Sequence, residues 1–145
     1  MKKILVINGP NLGRLGVREP GVYGKSTLSD LEELIRKEAS GLGLGVEFFQ
    51  SDVEGELGTK INTATGKADG IILNPAAYTH TSIALRDAIQ SVSVPRVEVH
   101  ISNTSARDGF RHTSFTAAAC IGQIIGFGFD SYLLALQAFA RYFDS

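Results

Sequence analysis

Lys3-Ile4-Leu5-Val6-Ile7-Asn8-Gly9-Pro10-Asn11-Leu12 decides the fold. Ile4 to Ile7 is an unbroken apolar run, the mark of a strand buried on both faces, and such strands belong to parallel sheets covered by helices. A segment from Asn8 to Thr27 follows before the next helical pattern begins. It holds five glycines, Pro10 and Pro20, with Asn11, Arg14, Arg18, Glu19 and Tyr23 among them. Strand-to-helix loops in α/β domains run roughly 2–6 residues, and a longer one is usually a lid or binding loop. In an open parallel sheet, ligands bind just outside the carboxyl ends of the strands. Two arginines and a tyrosine on a glycine-hinged segment therefore stand where a substrate would sit.

Outward from this stretch, strands alternate with helices to the end of the chain. Leu28, Leu31, Leu34, Ile35 and Leu42 fall on one side of a helix that Ser26 or Thr27 can cap. Val46–Phe49 and Ile71–Leu73 read as the second and third strands. Residues 55–68 stand where a second helix belongs, although Gly55, Gly58, Thr59, Thr63, Thr65 and Gly66 are poor helix formers. Thr79 to Val92 reads as the third helix, with His80 in or just before its first turn and Thr79 or Thr81 as possible caps. Val97–Ile101 is the fourth strand, Ile121–Ile125 the fifth, and Ser131–Phe143 the last helix. Five βα units imply an α/β fold, a parallel sheet with helices on both faces. Strand order 2-1-3-4-5 suits the size. The last helix is apolar nearly all round, which predicts cover on more than one side and hints at a subunit contact.

The 145 residues suit a single domain spanning 1–145. A net charge of −1, with Lys and Arg dispersed, argues against nucleic acid and anionic membrane as partners. Cys120 is the only cysteine, so no intramolecular disulfide forms, and its apolar neighbours make it a small core residue. The apolar run after Lys3 is too short for a signal peptide, and no run approaches a membrane span. A cytoplasmic location is the expectation. His80, His100 and His112 lack metal-ligand spacing, and the glycines match neither a dinucleotide fingerprint nor a P-loop. No cofactor is expected.

Polar residues converge at the strand ends. The first strand delivers Asn8 and Asn11, the third Asn74 and then His80, the fourth Glu98 and His100. Glu98 and His100, two apart on a strand, share a face. A carboxylate beside an imidazole favours the charged ring and fixes its tautomer. The pair also suits a structural ion pair; the other polar groups aimed at the same edge favour function. The residues alone leave acid and base unassigned, and His100 is the better unaided choice for a base. Backbone N–H groups at Ile101 and Ser102 can hold an anion. On the long loop, ionising Tyr23 at pH 7 costs roughly 4 kcal/mol. An arginine about 4 Å away at an effective dielectric near 20 offers up to about 4 kcal/mol. Arg18 beside Tyr23 is thus sufficient in principle.

Taken together, these stretches resemble type II 3-dehydroquinate dehydratases: Asn8-Gly9-Pro10-Asn11-Leu12, Arg18-Glu19-Pro20 through Tyr23-Gly24, and Asn74-Pro75-Ala76-Ala77-Tyr78-Thr79-His80-Thr81-Ser82. Ala84-Leu85-Arg86-Asp87-Ala88, Glu98-Val99-His100-Ile101-Ser102-Asn103, Arg107 and Phe110-Arg111 complete the match, from about residue 4 to residue 142. The resemblance implies a flavodoxin-like sheet and the reversible loss of water from 3-dehydroquinate to give 3-dehydroshikimate. That step belongs to the shikimate pathway and is also used in quinate breakdown. It implies an anti elimination through an enolate, with no metal and no Schiff base. By the same resemblance Tyr23 is the base at C2 and Arg18 lowers its pKa. Asn11 holds a water on the enolate oxygen. His100 is the general acid for the C1 hydroxyl, and Glu98 orients it. Asn74 and the amides of Ile101 and Ser102 take the carboxylate, and His80 and Arg111 the ring hydroxyls. Asp87 reaches a neighbouring subunit's site in a homododecamer, a tetramer of trimers, and the long loop closes as a lid.

The chain departs from that family's pattern at 57–66, where a stronger amphipathic helix is usual, and at Asp52-Val53, in place of a frequent Asn-His pair. Neither carries a matched catalytic residue. A competing reading is a binding module for a small carboxylate or phosphorylated ligand, without catalysis. It leaves the Arg18–Tyr23 and Glu98–His100 pairs unexplained. An assembly protein, suggested only by the last helix, explains none of the polar edge.

Overall fold

The structure, a computed structural model, describes residues 1–17, 19, 21 and 24–144. Five strands and four longer helices alternate: β1 (Lys2–Asn8), α1 (Leu28–Gly41), β2 (Leu44–Gln50), α2 (Glu54–Asn62), β3 (Gly70–Asn74), α3 (Ile83–Ser91), β4 (Arg96–His100), β5 (Gly122–Ile125) and α4 (Asp130–Asp144). All strand pairings are parallel, in the order β2-β1-β3-β4-β5. This is the flavodoxin-like arrangement that the run of βα units predicts.

Alternation along the strands divides the core in two. Ile4, Val6, Ile72, Val97 and Val99 point to one face and pack against Leu31, Ile35 and Ala39 of α1 and Tyr132, Ala135, Leu136 and Phe139 of α4. Leu5, Ile7, Ile71 and Leu73 point to the other, against Leu57 and Ile61 of α2 and Leu85 and Ile89 of α3. Gly70 opens β3 where a Cβ would lie 2.7 Å from the Phe139 ring. The bare glycine therefore lets α4 lie close on the sheet. By parity Glu98 and His100 join the α2/α3 face, and Asn8 and Asn74 the α1/α4 face.

Helix ends follow local chemistry. Thr27 caps α1 in a capping box with Asp30, the threonine side chain accepting from Asp30 N and the aspartate from Thr27 N. Two expectations need correction. First, α2 stops at Asn62 rather than running to 68; turns follow, with Gly66 at φ +79°. Second, a separate 3-10 segment, Ala76–His80, precedes α3, and the cap of α3 is Ser82, whose Oγ accepts from Leu85 N. His80 is thus in a turn of its own rather than on the helix. The apolar residues of α4 divide between a buried face and an outward one, where Leu134 and Tyr142 are exposed in the single chain. Among the described residues no helix is long and apolar enough to cross a membrane.

Candidate active site

The carboxyl ends of β1, β3 and β4 surround a pocket. Asn11 lines it from the first loop, Asn74 and His80 from the second, and His100, Ile101, Ser102 and Arg111 from the third, together with Arg107. Seven predicted site residues thus share one cavity. Glu98 lies directly behind it with no exposure. Asp87 is exposed on α3 and does not line its own chain's pocket. Tyr23 and Arg18 lie outside the described residues. Their neighbour Glu19 places its carboxylate 3.7 Å from the Arg107 guanidinium, so the long loop reaches the rim of the pocket.

Two tight approaches shape the floor. Gly9 N donates to Asn74 O at 2.8 Å. A Cβ on Gly9 would lie 2.5 Å from Pro75 O, closer than atoms tolerate, so only glycine lets the two loops meet. Asn11 and Ala76, on either side, adopt left-handed backbone with φ of 67° and 53°. Asparagine tolerates this region; alanine does not unless its surroundings hold it there. We expect Gly9→Ala to cost about 1–3 kcal/mol of stability, as overpacking does, and to raise KM. Chemical denaturation and steady-state kinetics test this, and parental values for both would contradict it.

Glu98 has the most elaborate surroundings in the site. Its Oε2 accepts from His100 Nε2 at 2.9 Å and Gln123 Nε2 at 2.6 Å, and Ser114 Oγ donates at 3.1 Å. Thr116 Oγ1 donates to Oε1. Gln123 stands opposite Glu98 in the β4–β5 register. Burial works against ionisation, but His100, Thr116 and Gln123 outweigh it and hold the Glu98 pKa below the usual carboxylate range. Because Gln123 Nε2 is only a donor, Oε2 is an acceptor, and His100 Nε2 carries a proton. The remaining His100 nitrogen, Nδ1, is the one available to a ligand. The carboxylate thus fixes the tautomer and orientation of the ring.

His80 Nδ1 donates to Thr113 O at 2.7 Å. Burial lowers its pKa below 6.5, with the charges of His100 and Arg111 adding and the Thr113 bond opposing. The ring is therefore neutral at pH 7 and above, with Nε2 as an acceptor for a hydroxyl. Protonation removes the acceptor, so KM should rise as pH falls through the lowered pKa. His80→Gln should flatten that dependence; a parent KM independent of pH between 5 and 7.5 would contradict it. Among the described residues Arg111 Nε is buried without a hydrogen bond, and the Asp108 carboxylate lies 3.7 Å away. An unpaired buried donor costs about 1–3 kcal/mol, which a ligand oxygen relieves.

Several supporting residues escaped sequence reasoning. Asp52 Oδ1 accepts from Asn11 N at 2.9 Å and from Gln50 Nε2, which also donates to Gly9 O. The position that looked catalytically silent thus anchors the Asn11 turn from the end of β2. Ser114, Thr116 and Gln123 were missed because only sheet register and loop path bring them to Glu98. Cys120 behaves as expected of a packing residue: half-buried, its thiol pushed up to about 12 by burial and the charge of Glu98.

The fold and this pocket define an α/β enzyme of the open-sheet kind, with its chemistry at the strand ends. Residues 2–140 match the family model described as dehydroquinase class II. A 3-dehydroquinate dehydratase of Bacillus cytotoxicus is 60% identical over 138 residues, covering 95% of this chain and 94% of the relative. Type II dehydroquinase structures superpose closely. That from Butyrivibrio crossotus has a TM-score of 0.93 at 46% identity, covering 94% of this chain and 96% of its own. That from Propionibacterium acnes has 0.94 at 45%, covering 97% of each. The chain belongs to the dehydroquinase class II family.

Proposed function

We propose that this chain, as one dehydroquinase-like domain, dehydrates 3-dehydroquinate to 3-dehydroshikimate by anti elimination through an enolate. The observation that carries the reading is the buried Glu98–His100 pair, with Nε2 of the ring committed to the carboxylate at 2.9 Å and His100 lining the pocket. Tyr23, as phenolate, takes a proton from C2. The C–H electron pair passes into the C3 carbonyl as an enolate, whose oxygen a water on Asn11 stabilises. The enolate then collapses, the C1–O bond breaks, and His100 protonates the departing hydroxyl as water, leaving a C1–C2 double bond conjugated with the ketone. Arg18 keeps Tyr23 ionised. Asn74, Ile101 and Ser102 hold the carboxylate. The neutral His80 ring and the unpaired Arg111 Nε hold the ring hydroxyls.

The same reading places the chain in a homo-oligomer, a dodecamer built as a tetramer of trimers. Exposure of Asp87 away from its own pocket supports its entry into a neighbour's. A cytoplasmic enzyme of the shikimate pathway, or of quinate breakdown, fits the activity. The route is tested with 3-dehydroquinate deuterated at one C2 position at a time. Loss of the hydrogen on the face opposite the C1 hydroxyl is expected; loss of the hydrogen on the same face would overturn the anti route.

A further inference from the structure

Asn8 and Asn74 end the two central strands in register with each other. Neither side chain is loose. Both meet the hydroxyl of Tyr132, which comes from α4 and has no exposure. Asn74 Nδ2 donates to Tyr132 Oη at 2.9 Å, and Tyr132 donates to Asn8 Oδ1 at 2.5 Å. A buried hydroxyl requires partners, and this one takes both from the strand ends beneath the pocket.

We propose that Tyr132 is a positioning residue that aims the Asn74 amide at the substrate carboxylate. The polarity of the chain of bonds is fixed from one end. Ala76 N, a donor only, faces Asn74 Oδ1 at 3.0 Å. The amide nitrogen therefore points the other way, and one of its two hydrogens goes to Tyr132. The hydroxyl, accepting there, must send its own proton to Asn8. With Oδ1 and one Nδ2 hydrogen committed, the Asn74 amide can neither flip nor swing. Its second hydrogen is the group left for the pocket that Asn74 lines. The same bond from Ala76 helps hold that residue at φ 53°. Burial pushes the Tyr132 pKa upward, so the hydroxyl keeps its proton and its direction.

This inference rests on the proposed carboxylate role of Asn74, and the test separates the two. The carboxylate is the same in ground and transition states, so loss of its alignment weakens uniform binding and appears in KM. For Tyr132→Phe, KM for 3-dehydroquinate is expected to rise about five- to tenfold, the effect of one oriented hydrogen bond, with kcat changing by less than threefold. In an Asn74→Ala background the same substitution should raise KM no further, because coupled residues are non-additive. A role confined to stability would lower the melting temperature and leave KM alone. If Tyr132→Phe does not fold, Asn8→Ala keeps the ring and removes only the acceptor that holds its proton away from Asn74. It is expected to raise KM several-fold. Parental KM in whichever variant folds, or an equal KM increase in the Asn74→Ala background, overturns the Tyr132 assignment while leaving the dehydratase reading intact. A parent chain with no turnover overturns both.

Discussion

His100→Ala should lower kcat by about three orders of magnitude, within the range that a positioned general acid contributes, while 3-dehydroquinate still binds. The leaving group is a hydroxide unless it is protonated as the C1–O bond breaks, and His100 is the donor proposed for it. Glu98→Gln is the finer test of the same pair. The substituted amide can turn its nitrogen toward Thr116, whose hydroxyl then accepts, and keep its oxygen on His100 and Gln123. The tautomer survives and only the negative charge is lost. We therefore expect kcat to fall by about ten- to a hundredfold, less than for removal of the acid itself. Steady-state kinetics across pH decide it. A His100→Ala variant within tenfold of the parent would place the acid elsewhere.

Tyr23→Phe should lower kcat by about 10³-fold or more, the upper part of the range for a catalytic base, with KM little changed. The substitution keeps the ring and removes only the oxygen that takes the C2 proton. Tyr23 stands five residues from Arg18 in a chain of the dehydroquinase class II family, and Glu19 of the same loop reaches Arg107. Arg18→Ala should lower kcat and move the acidic limb of the rate to higher pH, since an unassisted phenol ionises near pH 10. Stopped assays with excess substrate separate this from weakened binding. Unchanged turnover in Tyr23→Phe would remove the tyrosine from the mechanism.

The sheet is readable because its strands are short unbroken apolar runs, and the two faces separate by simple alternation through Ile4–Ile7 and Ile71–Leu73. Glu98 and His100 are readable as a pair because two residues on a strand share a face whatever the rest of the chain does. Groups joined by tertiary contact were not. Tyr132 lies 124 residues from Asn8 and 58 from Asn74, and nothing local marks it as more than a core aromatic. Gln123 becomes visible only with the β4–β5 register, and Asp52 only when the Asn11 turn is seen to fold back across β2. The end of α2 was misjudged because a βα rhythm was extended over Thr63, Thr65 and Gly66, whose weak helix propensity was the better guide. The Ser82 cap was passed over for Thr79 and Thr81, one of which, Thr79, is buried in the preceding 3-10 segment.

The central claim is tested most directly by following ultraviolet absorbance when 3-dehydroquinate and a chelator are added to the purified chain, before and after the chain has been treated with substrate and borohydride and dialysed. The product is a conjugated enone and the substrate is not. A rise in absorbance at the same rate with or without either treatment is expected, because the electrons rest on an enolate oxygen rather than on an imine. A flat trace from folded protein would return the chain to a binding module, and a rise abolished by borohydride would contradict the enolate route.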